Sequence, residues 1–346
     1  MSQILVISPS GNFYGSEQVL FDYVQLTQLP VEIAVPSKSP FWGRLKGLHP
    51  SRMLVEFQSH KLFRFYGWVY WQLLKGKYRE VYLNEAGHIK YISLLALLFK
   101  KKRFVVHVRM LEDTEPSRWK YAARDNITLI SISRFLQDRL PLPSYQLYDG
   151  YHFSEPKVLI AKKNLDVLRV AVIGRITKTK GALPLLKLLK LIDQSKQSAH
   201  YTFCLYGEVA DDMSGDELLE EIKKFSNVQF KGFENDKKAL YDAVDVVLHL
   251  SVREALGRIF FEAIDYGKPF VGYQAAGIAE IGGLLNLSDL LADPQSQNPI
   301  EEIFQRLKSV RLDYQRYVSQ NENAKAKASE IFNPNSYTRE VDKFLS

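Results

Sequence analysis

Glu254 and Glu262 stand in "SVREALGRIFFEAIDYGKPFVG" with seven residues between them. Glu262 lies inside the apolar run Ile259-Phe260-Phe261-Glu262-Ala263-Ile264. A carboxylate buried there without partners is costly, so it must meet donors. Those donors are either a nearby Lys or Arg or the hydroxyls of a ligand. The buried strand "DVVLHLS" ends at Ser251 and "REALG" turns the chain. A helix is expected from about Arg258 to Tyr266, with Gly267 as its left-handed C-terminal residue and Pro269 blocking continuation. On it Ile259, Phe260, Ala263 and Ile264 form the core-facing stripe, and Glu262 borders that stripe. Glu254 precedes the helix. The amides of Ala255, Leu256 and Gly257 sit at the helix N-terminus, where negative charge or sugar oxygens are welcome.

A second stretch, "AVIGRITKTKGALPLL", ends a strand at Gly174-Arg175 and opens a helix at Lys180-Gly181. Arg175 and Lys180, beside a helix N-terminus, suit a phosphate, although a basic loop can equally be solvated. The Walker pattern GxxxxGK[ST] is absent.

These stretches need strands that end at one edge. The first half of the chain alternates strand-like runs ("QILVIS", "VEIAVP", "MLVEF", "EVYLN", "RFVVHV", "TLISI") with helical ones. The helical runs are "SEQVLFDYVQLTQ", "LFRFYGWVYWQLLKG", "KYISLLALLFKKK", "PSRWKYAARDN" and "SRFLQDRL". A Pro-rich, polar connection, "LPLPSYQLYDGYHFSEPKVLIAKKN", interrupts the alternation. It restarts with the strands "LRVAVIG", "YTFCLYG", "VQFKGF", "DVVLHLS", "PFVGY" and "DLLAD" and intervening helices. Continuous apolar strands separated by helices indicate parallel sheets covered on both faces. The expected fold is α/β: two tandem doubly wound Rossmann-like domains facing a central cleft. The expected domains are 1–160, 161–330 and a helical segment 331–346 that crosses back to the first. Ligands of such sheets bind at the carboxyl ends of the strands.

The 346 residues are 46% hydrophobic and 12% aromatic, which excludes a disordered chain. The single cysteine, Cys204, excludes a disulfide framework and a Cys-rich zinc site, and reads as a buried inert thiol. The histidines His49, His60, His88, His152, His200 and His249 show no metal-ligand spacing. The acidic stretch "ADDMSGDE" reads as a lead-in to a helix, so no metal is expected. With no leader pattern and no apolar run of spanning length, the expected location is cytoplasmic. The net charge of +7 is uneven: residues 1–160 carry +8 and the remainder −1. The basic half suggests an anionic partner or a solvated surface.

The stretch "EALGRIFFEAIDYGKPFV" resembles the signature of retaining nucleotide-sugar glycosyltransferases of family 4, with the glycosyltransferase-B fold. Both glutamates, Gly257, Gly267 and Pro269 match, while Ala255 and Leu256 replace the usual Gly and Phe. "GRITKTKG" resembles the family's diphosphate loop, and "SGNFYGSEQVLFDYV" its first glycine-rich loop, with Gly15 and Glu17 matched. "FVVHVRM" resembles the strand ending in the active-site His, here His107. "LYDGYHF" stands where Asn-Gly-Val-Asp is usual, so Asp149 replaces Asn. The resemblance implies that Glu262 binds ribose hydroxyls and that Arg175 and Lys180 neutralise the diphosphate. It implies that Glu254 and the amides of Leu256 and Gly257 hold the donor sugar, with Gly15 and Glu17 also in the donor site. His107 would contact the sugar near the bond that breaks.

The substrates implied are a nucleotide sugar, such as a UDP- or GDP-sugar, and a saccharide or lipid-linked acceptor. The pathway implied is cell-surface polysaccharide or lipopolysaccharide assembly, without a cofactor, metal or nucleic acid. Glu85 and His88 in "NEAGHIK" are candidate acceptor contacts. "LFRFYGWVYWQLLKGKYR" and "LLALLFKKKR" join apolar faces to cations and either rest on an anionic membrane or simply cover the sheet. A sugar-nucleotide epimerase of the same fold and a non-catalytic binding subunit are the competing readings.

Overall fold

The computed structural model describes residues 3–47, 54–155, 164–209 and 217–346. His49, Met53 of the third expected strand, residues 156–163 of the connection and the acidic stretch 210–216 lie outside the described residues. The chain divides into two compact units, Met1–His152 with Phe332–Ser346, and Phe153–Ile331.

In the first unit the order is β1 (Gln3–Ile7), α1 (Gly15–Leu26), β2 (Val31–Pro36), α2 (Pro40–Lys46), β3 (Leu54–Phe57), α3 (Leu62–Leu74) and β4 (Tyr78–Leu83). Then come α4 (Ile89–Leu98), β5 (Arg103–Val108), α5 (Pro116–Trp119), β6 (Ile127–Ser131), α6 (Arg134–Gln137) and β7 (Tyr145–Gln146). The strands form one parallel sheet in the order β3-β2-β1-β4-β5-β6-β7. Its core joins Ile4 and Val6 of β1 to Val19, Leu20 and Tyr23 of α1 and to Phe41 and Leu45 of α2. Tyr337, Val341 and Leu345, from the last helix of the chain, complete that core.

The second unit runs β8 (Leu168–Ile173), α7 (Ala182–Gln194), β9 (Tyr201–Tyr206), α8 (Glu217–Lys223), β10 (Val228–Gly232), α9 (Lys237–Asp242) and β11 (Val246–His249). It continues through α10 (Arg258–Asp265), β12 (Phe270–Tyr273), α11 (Ala276–Leu285), β13 (Leu291–Ala292), α12 (Pro299–Leu312) and α13 (Tyr314–Ile331). The final helix, α14 (Pro334–Leu345), belongs to the first unit. The second sheet is also parallel, in the order β10-β9-β8-β11-β12-β13. Leu185, Leu188, Leu189 and Ile192 of α7 and Ile303, Leu307 and Val310 of α12 are part of its core cluster. Cys204 on β9 is buried, and burial raises its thiol pKa.

Each sheet starts at its middle, grows to one side, and then returns to grow on the other. The direction reverses between β1 and β4 in one unit and between β8 and β11 in the other. Doubly wound sheets hold ligands at such reversals, outside the carboxyl ends of the strands.

Candidate functional site

In the second unit the loop after β8 carries Arg175 and Lys180, and the loop after β11 carries Glu254. The two loops are pressed together. A Cβ on Gly181 would stand 2.7 Å from the Leu250 backbone. Across this contact Lys180 Nζ donates to Glu254 Oε1 at 2.6 Å. His249 ends β11 and brings Nε2 to 3.3 Å from the same oxygen, outside hydrogen-bond alignment. Burial pushes the Glu254 carboxyl up, but His249 and Lys180 more than reverse this and bring its pKa to about 2. Lys180 is the close partner, so the ionised state rests chiefly on it. Arg175 is exposed on the same loop.

Gly257 caps α10 in a left-handed conformation, φ 82°, and a Cβ there would strike Ile278. Leu256 is buried beneath the loop. The Gly277 N–H donates to the Glu254 carbonyl at 2.8 Å, tying the loop to the first turn of α11. At the far end of α10, Gly267 takes the left-handed conformation expected of it, φ 65°. The helix's core stripe is Phe260, Phe261, Ala263 and Ile264, so Phe261 takes the place expected for Ile259, which is half-buried.

Glu262 is mostly buried, as its place in an apolar run demanded, and it has protein partners. Lys237 Nζ at the start of α9 donates to Oε1 at 2.6 Å, and the Tyr241 hydroxyl donates to Oε2 at 3.2 Å. Lys237 is 55% exposed, so this ammonium can leave with little disturbance to the core. Of the two kinds of donor such a carboxylate can meet, a lysine or arginine and the hydroxyls of a ligand, Lys237 is of the first kind.

The first unit's switch point is built differently. Gly15 opens α1, but Glu17 is 1% exposed and accepts the Tyr14 N–H at 3.0 Å. Its carboxylate closes the first turn of the helix, so it is not the open donor ligand expected. Ser16 Oγ donates to Glu85 just after β4. Burial raises the Glu85 carboxyl to about 7, only partly offset by Ser16. His88 packs against Phe57, Tyr66 and Tyr91, with Nδ1 3.0 Å from the Tyr66 hydroxyl. Burial lowers its pKa to about 4, so it is a neutral core histidine rather than an open acceptor contact.

His107 also departs from expectation. It is fully buried, 2.7 Å from the Tyr82 hydroxyl through Nδ1, and stacked on Tyr337 of α14. Burial, and then Arg109, hold its pKa well below the usual imidazole value. Covered by α14, it offers no atom to a sugar. Two residues on, Arg109 is buried and ion-paired to Asp149, with further bonds to the Asn84 carbonyl at 2.9 Å and the Tyr337 hydroxyl at 3.0 Å. The replacement of Asn by Asp at position 149 thereby acquires a reason: a buried guanidinium requires a charge opposite it.

Sequence reading missed His249 and Lys237. His249 was visible only as the last residue of a buried strand just ahead of Glu254, and Lys237 had no signal. Among the described residues no group of three or more His, Cys, Asp or Glu side chains could hold a metal ion. Among them also no helix is long and apolar enough to cross a membrane.

Two parallel sheets that share the order of their first six strands, the second bearing Lys180 and Glu254 at its switch point, define the glycosyltransferase-B fold with its two Rossmann-like domains. Residues 157–327 match the family described as "Glycosyl transferases group 1". The chain is 33% identical over 89 residues to the lipopolysaccharide glucosyltransferase WaaG of Escherichia coli K12, which covers 26% of this chain and 24% of that protein. It is 32% identical over 138 residues to an uncharacterized 41.2 kDa protein in the cps region of Klebsiella pneumoniae, covering 38% and 35%. The chain thus spans about a quarter to a third of these relatives' length. Over 100% of its own length and 99% of the other it superposes on Anabaena Alr3699/HepE, in complex with UDP and glucose, with a TM-score of 0.79 at 20% identity. At that identity the likeness shows the fold alone.

Proposed function

We propose that the chain is a retaining, metal-independent glycosyltransferase. It moves a sugar from a nucleotide sugar to a saccharide or lipid-linked acceptor in the cytoplasm, in cell-surface polysaccharide or lipopolysaccharide assembly. The observation that carries this reading is the meeting of Lys180 and Glu254 across the β8–β11 switch point, with Arg175 exposed beside them. The matched group 1 segment contains all three. The WaaG relative is a lipopolysaccharide glucosyltransferase and the Klebsiella relative comes from a cps region, which supports the pathway. The Anabaena complex holds UDP, which makes a UDP-sugar the first donor to try.

The chemistry follows from charge. As the bond between sugar and diphosphate breaks, negative charge gathers on the leaving group. Arg175 and Lys180 stabilise it there, without the cost of reorganising water. Once the diphosphate engages Lys180, Glu254 is released from its ion pair and turns to the donor sugar, beside the amides of Leu256 and Gly257. Glu262 exchanges the Lys237 ammonium for ribose hydroxyls. His107 has no part in this scheme.

The test is thermal denaturation with UDP, GDP, ADP and their sugars. A selective nucleotide at a hundred times its Kd adds about 2.7 kcal/mol of stability. Glu262→Ala should abolish most of that gain, and Glu254→Ala should retain it while transfer falls. A gain unchanged in Glu262→Ala removes the role given to Glu262, and no gain with any nucleotide removes the donor site. Epimerised donor formed without acceptor would instead identify an epimerase.

A further inference from the structure

Two groups approach one oxygen of Glu254. Lys180 Nζ lies 2.6 Å from Oε1, and His249 Nε2 lies 3.3 Å from the same atom. Only the lysine makes a hydrogen bond. His249 Nε2 is buried and has no partner. Among the described residues no donor meets Oε2. The protein thus crowds its donors onto Oε1 and leaves the other oxygen open.

The two donors differ in how firmly they are held. Lys180 ends a short turn in the loop after β8, and its side chain is 37% exposed. A four-carbon stem lets its ammonium follow an anion that arrives nearby. His249 is the last residue of β11 and is buried, with its ring packed on Phe270 at 6.0 Å. It stands in register with Gly272 of β12, where a Cβ would come within 2.8 Å of the His249 carbonyl oxygen. The backbone beneath the imidazole is therefore fixed on the sheet. A buried ring nitrogen left without a partner is costly and rare, so its place beside a carboxylate calls for a reason. A bond made in another state of the site supplies one. From 3.3 Å, a shift of about half an ångström with a small ring rotation brings Nε2 to ordinary bonding distance.

We propose that His249 is the positioning residue for Glu254. When an anionic ligand draws Lys180 away, the His249 Nε2–H closes onto Oε1, keeps the carboxylate ionised and fixes its direction, so that Oε2 faces the donor sugar. Without it, the departure of Lys180 would strand a mostly buried carboxylate, which would take up a proton or turn toward water. Lys180 is the exchangeable partner and His249 the permanent one. Both the Nε2–H tautomer and the imidazolium can donate this bond. The inference deepens the transferase reading and rests on it for the identity of the ligand.

The first experiment needs no ligand. Lys180→Ala removes the ammonium, and the Glu254 carboxyl carbon is followed by 13C NMR in the full chain labelled at glutamate. Its resonance is identified by its loss in Glu254→Gln. In Lys180→Ala the carboxyl should still titrate below its ordinary value of 4.5, held there by His249. In Lys180→Ala with His249→Leu it should titrate above that value, because burial then acts unopposed. His249→Gln in place of the leucine should give a value between the two, since its amide donates without charge. Titration alike with His or Leu at position 249 overturns the proposal. Transfer gives a second readout. His249→Leu should lower kcat on the order of ten- to a hundredfold, as for one hydrogen bond to a charged group, with KM for the donor little changed. His249→Gln should recover much of that loss. An unchanged kcat in His249→Leu, or a loss that His249→Gln does not relieve, also overturns the proposal. Absence of transfer by the unaltered chain would sink the transferase reading, and the titration would still decide whether His249 holds Glu254.

Discussion

Glu85 follows β4 in the first unit and Glu254 follows β11 in the second, each on the strand that opens the second half of its sheet. Glu85 is buried and Glu254 mostly so, yet they titrate in opposite directions. Glu85 faces a serine and no ammonium, and burial carries its pKa to about 7. Glu254 faces Lys180 and His249, and its pKa falls to about 2 in spite of burial. The first unit's strong cation, Arg109, is spent internally on Asp149 beneath α14. In the second unit Lys180, just ahead of α7, and Lys237, at the start of α9, stand partly in water, each holding a carboxylate that a ligand could take over. One architecture is thus used once with its charges sealed in and once with them on offer.

The largest expected effect tests the sealed charges. Asp149→Ala leaves Arg109 buried and unpaired, and urea unfolding should show a loss of about 3–5 kcal/mol. A loss no greater than that of the exposed-lysine variant below would break the contrast. Next come the two glutamates. Glu85 has a folded pKa above its unfolded one, so the folded state binds the extra proton. Its contribution is complete below about pH 4.5 and is lost as pH rises through 7, on the order of 3 kcal/mol. Glu85→Gln should flatten that fall in stability measured from pH 4.5 to 8. Glu254 has the opposite sign: its contribution is present above about pH 4.5 and is lost as pH falls toward 2. Since Glu254 is partly open to solvent, about 2 kcal/mol is expected, read as a shallower acid limb in Glu254→Gln. Equal pH profiles for the two variants would erase the distinction. The smallest effect belongs to Lys237→Ala, below about 1 kcal/mol in stability, with nucleotide binding kept or improved.

The sheets were legible because strands buried on both faces spell continuous apolar runs, as in "ILVI", "FVVHV" and "DVVLHL". The turn-helix-stop around Glu254 and Glu262 was legible for a local reason: Gly257, Gly267 and Pro269 act on their own neighbours. Helix α11 escaped notice because "AGIAEIGGLL" contains three glycines and its helicity comes from packing. The run "PSRWKYAARDN" read as a full helix but yields only Pro116–Trp119. The roles of Glu17 and His107 were misjudged for a different reason. Glu17 serves its own helix cap, while His107 is hidden by a tyrosine more than two hundred positions further on. No local pattern in "FVVHVRM" announces that cover. Lys237 was invisible likewise, since its partner is fixed only when α9 is set beside α10.

Tyr337 stacks on His107 and bonds Arg109, while Asp342 accepts from Tyr23 and Thr27 of the opening segment. During synthesis, then, the part of the chain made first is finished last. The first unit's polar interior stays open until residues 334–345 have left the ribosome. A chain stopped just short of α14 would carry an intact second unit beside an N-terminal half that chaperones and proteases treat as incomplete.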